Sequence, residues 1–199
     1  MPTKRYYIAY GSNLNVEQMQ HRCPDARIIG IATLKNWTLL FRGSKTGSYL
    51  TIEPKRGEYV PVAVWEVSER DEENLDRYEG FPNFYYKKDF ELDITGIRTG
   101  KIRHRRAFAY IMHEDRPLGE PSNYYLRVCA QGYRFFNFAA TVLVCVVVHF
   151  VLFKCFSDLV KHGCFSLKNV VYRSSGCVHI LTLFRRNSKS ICDNILHNL

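Results

Sequence analysis

Alternating apolar and polar positions divide the first two thirds of the chain into predicted strands. Residues 6–10 are apolar or aromatic on both alternating faces, which is typical of a strand buried on both sides. This strand ends at Gly11, where a turn begins. The same alternation predicts a hairpin and, before it, a series of meandering strands separated by Gly and Pro. These further strands cover residues 28–34, 38–42, 49–52, 59–67, 84–94 and 102–112.

Three helices are predicted between these strands and after them. Each begins after a polar residue that can cap a helix, namely Asn15, Ser68 and Ser122. The first helix continues through about residue 22. The second covers residues 69–78 and stops at Gly80, a residue suited to the left-handed position after a helix. Because strands outnumber helices and do not alternate with them, the pattern predicts an α+β fold with a mixed or antiparallel, barrel-like sheet.

Composition divides the 199-residue chain near Phe138. Residues 1–138 contain 21 basic and 17 acidic side chains, all seven prolines and both tryptophans, whereas residues 139–199 contain seven basic and two acidic side chains. The second part also lacks Glu, Pro and Trp and holds five of the seven cysteines. We therefore predict one domain at 1–138 and an atypical apolar and basic tail at 139–199. Its composition leads to the hypothesis that the tail comes from a frameshift, readthrough or retained intron.

An apolar segment, residues 135–153, crosses the boundary between the predicted domain and the tail. Its 19 residues are close to the length of a membrane span, although Asn137 and His149 interrupt it. The many β-branched residues equally suit an extra buried strand or an aggregation-prone segment. No paired C-x-x-C spacing occurs, so no metal site is predicted. The absence of an N-terminal apolar leader and the odd number of cysteines favour a cytoplasmic protein with free thiols, associated with a membrane only through this segment.

The first candidate site is the loop Tyr10–Leu14, which follows the buried strand. A glycine turn that leads into a helix leaves backbone N–H groups unpaired and directed at one point, where they bind carboxylate or phosphate. No Gly-Lys-Ser/Thr sequence follows, so the loop is not a Walker A motif. Taken alone, this pattern is equally explained by a structural turn.

The second candidate is Glu79, at the end of the predicted second helix. It lies four residues after Leu75 and therefore borders the apolar side of that helix, whereas Glu72, Glu73 and Asp76 are expected to point towards water. Burial and the negative end of the helix dipole both raise the pKa of a carboxyl group. Glu79 is therefore predicted to act as a proton shuttle near neutral pH.

Four short motifs resemble the γ-glutamylcyclotransferase-like (AIG2-like) family in order and spacing. They are YIAYGSNL at residues 7–14, LDRYEG at 75–80, FYY at 84–86 and PSNYYL at 121–126. The resemblance covers about residues 4–138 and implies a small mixed β-barrel with flanking helices. It also implies an enzyme that needs no cofactor or metal and cyclises a γ-glutamyl amine or γ-glutamyl amino acid to 5-oxoproline, releasing the free amine.

The resemblance also assigns roles to individual residues. Glu79 would be the catalytic acid and base, and Tyr85 and Tyr125 would donate hydrogen bonds to the substrate. Tyr86 is the alternative to Tyr85, because the loop after Gly80 varies in length in the family. The backbone of the first loop would hold the substrate, through residues Tyr10, Gly11, Ser12, Asn13 and Leu14.

Other features favour simpler interpretations. The predicted hairpin of residues 84–94 and 102–112 carries several basic residues, namely Arg98, Lys101, Arg103, Arg105 and Arg106. Nucleic-acid platforms require aromatic side chains interleaved with such cations, and none are interleaved with these cations. We interpret them as a solvated surface and predict no nucleic-acid partner. The contrasting function class is a non-catalytic small-molecule-binding or membrane-tethered module that retains the cavity. Sequence determines neither the leaving group nor the oligomeric state.

Overall fold

The computed structural model describes residues 4–44 and 47–148 of the chain. Up to residue 140, the described residues form five strands and three α-helices. The strands are β1 (Arg5–Ala9), β2 (Arg27–Ser44), β3 (Gly47–Val67), β4 (Tyr85–Thr95) and β5 (Ile102–Met112). The helices are α1 (Val16–Arg22), α2 (Glu69–Glu79) and α3 (Asn123–Phe135). A 3₁₀ turn at Ser12–Leu14 joins β1 to α1.

The strands close into a barrel in the order β1-β3-β2-β4-β5. Neighbouring strands are antiparallel except β1 and β5, which pair in parallel at Tyr7 and Phe108. A single pair of residues, Ile31 and Thr95, joins β2 to β4. Gly30 lies beside this junction, where an added Cβ would be 2.3 Å from the Thr95 carbonyl oxygen, so the strands approach closely only because this residue is glycine. The predicted α+β barrel is confirmed.

The long hairpin of β2 and β3 differs from the predicted series of short strands. It pairs Arg27 with Glu66 at one end and Ser44 with Gly47 at the other. The register shifts between Lys35 and Trp37, where Asn36 has a φ of 63°. Such a bulge bends a strand without ending it, so the internal Gly and Pro residues mark irregularities rather than strand ends.

Local capping explains the helix ends. The side chain of Asn15 accepts a hydrogen bond from the Gln18 N–H, and Ser68 with Asp71 forms a reciprocal capping box. Gly80 adopts the left-handed conformation, with a φ of 67°, and ends α2 one residue later than predicted. Glu79 is therefore the last residue of α2.

Helix α3 packs against the 3₁₀ turn. Gly132 of α3 approaches Leu14 so closely that an added Cβ would be 2.4 Å from the Leu14 Cβ. Leu14 is fully buried, and the ring of Tyr133 is also in the core. This contact fixes the position of the 3₁₀ turn relative to α3.

Residues 141–199 form a second compact unit, of which the structure describes residues 141–148 as helical. The remaining predictions for the tail lie outside the described residues, as does the end of the predicted apolar segment 135–153. Within the described ranges, the helices are too short or too polar to cross a membrane.

Candidate active site

A cavity of about 210 Å³ lies at the end of the barrel where β1 and β5 finish. It is smaller than the roughly 300–1,000 Å³ of pockets for drug-sized ligands, so it suits a small polar group. Its wall combines most of the predicted loop, the end of α2 and a set of tyrosines. The lining residues are Tyr7, Tyr10, Gly11, Ser12, Asn13, Tyr49, Leu50, Tyr78, Glu79, Phe84, Tyr85, Tyr110 and Tyr125.

The loop after β1 presents its backbone at this cavity. Its 3₁₀ turn uses the N–H groups of Leu14 and Asn15, which bond to the carbonyls of Gly11 and Ser12 at 3.0 Å. Gly11, Ser12 and Asn13 line the cavity. Their N–H groups take no part in the hydrogen bonds of the 3₁₀ turn, as is usual at the start of a helix. An added Cβ at Gly11 would be 2.9 Å from the hydroxyl of Tyr125. Glycine therefore lets this tyrosine approach the loop.

Leu14 is the one predicted loop residue that the structure does not bring to the cavity wall. It is fully buried beneath the turn, against Gly132. Leu14 therefore packs the 3₁₀ turn against α3 and does not line the cavity.

Glu79 faces the loop across the cavity. Its Oε1 accepts a hydrogen bond of 2.9 Å from Nδ2 of Asn13. Burial raises the pKa of the Glu79 carboxyl from its ordinary 4.5 to about 7, against the opposing effects of the Arg22 charge and the Asn13 hydrogen bond. Both protonation states are therefore populated near neutral pH, as a group that accepts and returns a proton requires.

Asn13 joins the carboxyl group to its surroundings. Its Nδ2 also donates to the Tyr7 hydroxyl at 2.7 Å, while its Oδ1 accepts from Nη1 of Arg22. The guanidinium of Arg22 lies 3.8 Å above the ring of Tyr78. Because a guanidinium only donates, this contact directs the amide oxygen of Asn13 to Arg22 and the amide nitrogen to Glu79. Arg22 thus sets the orientation of Asn13.

Sequence reasoning missed Tyr7 and Arg22. Tyr7 belongs to the predicted strand and opens the first family motif, and Arg22 lies at the end of the predicted first helix, but no local pattern gives either residue a role in the site. The chain brings them together only when α1 folds back beside the loop. Their chemical types, a phenol and a guanidinium near a candidate carboxyl, were the only available signal.

The cavity tyrosines are held in fixed positions by the backbone. Tyr10 donates to the carbonyl of Tyr110, and the Tyr125 hydroxyl accepts from the N–H of Leu50 at 3.1 Å. Burial is the main cause that raises the pKa of Tyr10, Tyr85 and Tyr125 above the ordinary value. These hydroxyl groups therefore stay protonated near neutral pH.

Tyr85 and Tyr86 lie in different environments. Tyr85 lines the cavity and is buried. Tyr86 points to another environment, where its hydroxyl donates to Oε1 of Glu114 at 2.8 Å. Alternation along β4 sends these neighbours to opposite faces.

The buried thiols are poor nucleophiles. Burial raises the pKa of both Cys23 and Cys129 to about 12. Across residues 4–44 and 47–148, His, Cys, Asp and Glu side chains form no group of three or more that is able to hold a metal ion. Glu79 is therefore the cavity-lining residue whose pKa, about 7, is suited to proton transfer.

The described residues thus form a closed five-stranded barrel in which a carboxyl group of raised pKa faces a glycine turn across a small cavity. The chain belongs to the family described as gamma-glutamyl cyclotransferase, AIG2-like, whose model matches residues 7–127. It is an enzyme of the cyclotransferase kind. The family expected from the four sequence motifs is confirmed.

Curated relatives are 30% identical to this chain. Gamma-glutamylcyclotransferase of Bos taurus aligns over 134 residues, which are 63% of this chain and 68% of the relative. Gamma-glutamylcyclotransferase of Homo sapiens aligns over 133 residues with the same coverage.

Solved structures share the fold at lower sequence identity. A structure titled gamma-glutamyl cyclotransferase has a TM-score of 0.59 at 19% identity, covering 92% of this chain and 99% of its own. An uncharacterized protein from Homo sapiens has a TM-score of 0.58 at 21% identity, with the same coverage. At these identities the structural likeness supports the barrel architecture alone.

Proposed function

We propose that this protein converts a γ-glutamyl amine or γ-glutamyl amino acid to 5-oxoproline and a free amine, with Glu79 as the general acid and base. The observation that carries the proposal is the Glu79 carboxyl, with a pKa of about 7, facing the loop at residues 11–13 across one small cavity. Family membership supports a γ-glutamyl compound as the substrate.

In the proposed reaction the substrate attacks itself. The Glu79 carboxylate takes a proton from the substrate α-ammonium, and the resulting amine forms a bond to the γ-carbonyl carbon. The carbonyl electrons move to oxygen, which the N–H groups of the loop and the cavity hydroxyls would stabilise. When the carbonyl re-forms, the bond from carbon to the leaving nitrogen breaks, and Glu79 returns its proton to that nitrogen. The ring nitrogen then loses its second proton, which the released amine takes up, so that the products are 5-oxoproline and an ammonium group. The step consumes no other reactant.

Physical chemistry makes one acid-base residue sufficient. The five-membered ring closes within one substrate molecule. An active site that holds the substrate bent therefore supplies part of the about 7–11 kcal/mol by which a high effective molarity lowers the activation barrier. Proton transfer by a positioned carboxyl contributes a further factor of about 10²–10⁴. A cavity of about 210 Å³ favours the bent substrate over an extended one.

The contrasting class, a non-catalytic module, has less support. It predicts a filled cavity or an outward Glu79, whereas Glu79 lines a cavity and bonds to Asn13. No observation within the described residues favours it.

The test is formation of 5-oxoproline from defined substrates. The full chain is incubated with γ-glutamyl-alanine, γ-glutamyl-ε-lysine and glutathione, which differ in their leaving groups, and 5-oxoproline is measured by mass spectrometry. We expect product from at least one of the three. No product from any of them at high enzyme concentration would reject the proposed reaction.

A further inference from the structure

A second cavity lies at the opposite end of the barrel strands. Its volume is about 650 Å³, and it shares no lining residue with the candidate active site. Strand β3 contributes Leu50, near its start, to the first cavity and Trp65, near its end, to the second. Strand β4 contributes Tyr85 to the first cavity and Ile94 to the second. We call this second cavity the basic mouth.

The wall of the basic mouth is strongly cationic. Its single acid is Glu66, which is paired with Lys4 at 2.6 Å. The cations that line it form no ion pair with any carboxylate of the described residues. They are Arg27, Arg98, Lys101, Arg103 and Arg105.

Strand alternation explains why these charges are unbalanced. On the other face of the same hairpin, His104 lies 2.9 Å from Asp93, and Arg106 pairs with Asp89 at 2.7 Å. Arg103 and Arg105 occupy the alternate face, which turns to the mouth. Acids therefore neutralise one face of the hairpin, while the cations of the other face gather around a cavity. Arg103 and Arg105 are themselves exposed to solvent, as expected for a solvated surface, and their face differs from the first in having no paired carboxylate among the described residues.

The mouth also has an apolar part. Ile28, Ile97 and Phe135 offer accessible apolar surface to it, and the buried Trp65 borders it. Barrel mouths of this volume bind small ligands by an apolar body, with a few polar groups that set its orientation. Arginine forks bind both carboxylate and phosphate oxygens in pairs. A phosphate group has up to two negative charges and three terminal oxygens, so it contacts several arginines at once and suits a cluster better than one carboxylate does.

We propose that the basic mouth binds a small organic phosphate whose aromatic or aliphatic body lies against Ile28, Ile97 and Phe135. The cations converge on one concave cavity instead of following an extended track, which favours a small ligand over nucleic acid. The apolar residues that contact the body lie inside this cavity, which favours a small ligand over a membrane surface.

Binding is tested on the full chain in a Trp37→Phe background, where Trp65 is the only tryptophan. ADP and octyl phosphate are titrated by calorimetry, with Trp65 fluorescence reporting occupancy of the mouth. We expect at least one of them to bind more tightly than adenosine, octanol or pyrophosphate, and to bind less tightly as salt increases. Failure of both to bind at 1 mM (about 4 kcal/mol of binding free energy) would overturn the proposal. Binding to phosphatidylserine vesicles or an oligonucleotide in place of both probes would also overturn it.

A charge-matched pair of variants locates the site. Arg103→Gln with Arg105→Gln should weaken binding by about tenfold or more, whereas Arg70→Gln with Lys88→Gln, two exposed cations outside both cavities, should leave it unchanged. Glu79→Gln should also leave it unchanged, so this result is independent of the proposed reaction. Equal affinity in the two double variants, at equal melting temperatures, would place the ligand elsewhere and overturn the proposal.

Discussion

At the scale of single residues, the environment of Glu79 is a balance of opposing effects. Burial disfavours the carboxylate, while the Arg22 charge and the Asn13 amide favour it. Burial is the larger effect, and the pKa of the carboxyl rises to about 7. Replacing Glu79 therefore removes the ionising group itself, whereas replacing Arg22 or Asn13 changes its pKa.

Replacing Glu79 by Gln should abolish nearly all turnover. The amide keeps the shape of the side chain but cannot accept and return a proton, so we expect a fall of about 10²–10⁴-fold in kcat. Glu73→Gln, an exposed change on the same helix, is the control and should keep wild-type kcat. Retention of more than about a tenth of the wild-type rate would exclude Glu79 from proton transfer.

The same variant should be more stable than the wild type at high pH. Folding raises the pKa of Glu79 from 4.5 to about 7, so the folded state holds this proton more tightly than the unfolded chain. The contribution of this proton to the free energy of unfolding is complete below pH 4.5 and is lost as pH rises through 7. Glu79→Gln should therefore gain about 1–3 kcal/mol over wild type between pH 5 and pH 8 in urea unfolding. A difference that does not change with pH, or an equal gain in Glu73→Gln, would contradict the buried, ionising carboxyl.

Arg22 should act as a positioning residue. Arg22→Gln removes the charge that lowers the pKa of Glu79 and frees the Asn13 amide to rotate. Both changes raise that pKa, so the ascending limb of kcat/KM should move up by about one pH unit. Arg77→Gln, at an exposed position of α2, is the control. If the limb does not move, Arg22 has only a structural role.

At the scale of secondary-structure elements, the contact of α3 with the 3₁₀ turn decides where the loop lies. Gly132→Ala would place a Cβ 2.4 Å from the Leu14 Cβ and 2.9 Å from the Asn15 nitrogen. We expect a loss of about 1–3 kcal/mol in thermal unfolding, although alanine favours a helix by about 1 kcal/mol over glycine. Arg127→Ala, an exposed change on α3, is the control. A stabilised Gly132→Ala protein would show that the turn moves freely.

At the scale of the whole molecule, the barrel is contained in the first compact unit, residues 1–140. Its last aromatic contact is made by Phe138, which packs on Tyr133 and Phe136. A chain ending at residue 140 should therefore unfold cooperatively and form 5-oxoproline at least as fast as the full chain. Thermal melting and product formation are compared for the two lengths. Non-cooperative melting of the shorter chain would show that residues 141–199 are needed to complete the fold.

Local features of this protein were determined by the sequence itself. Hydrogen bonds within a few residues set the helix starts at Asn15, Ser68 and Ser122, and the conformational freedom of glycine set the end of α2. Helical spacing brought Glu79 to the border of an apolar face, and the ordered motifs indicated the family. Each cap, turn and motif lies within one short segment of the chain, and the order of the motifs is read along the sequence without any contact between them.

Only the tertiary structure decided which distant residues meet. It brought Arg22 to Asn13, took Leu14 away from the cavity, and joined four predicted strands into one hairpin across a bulge. It also separated the cations of one hairpin into a neutralised face and a basic mouth. Barrel closure pairs positions far apart in the chain, and such contacts depend on the register and direction of every strand, which no local pattern contains.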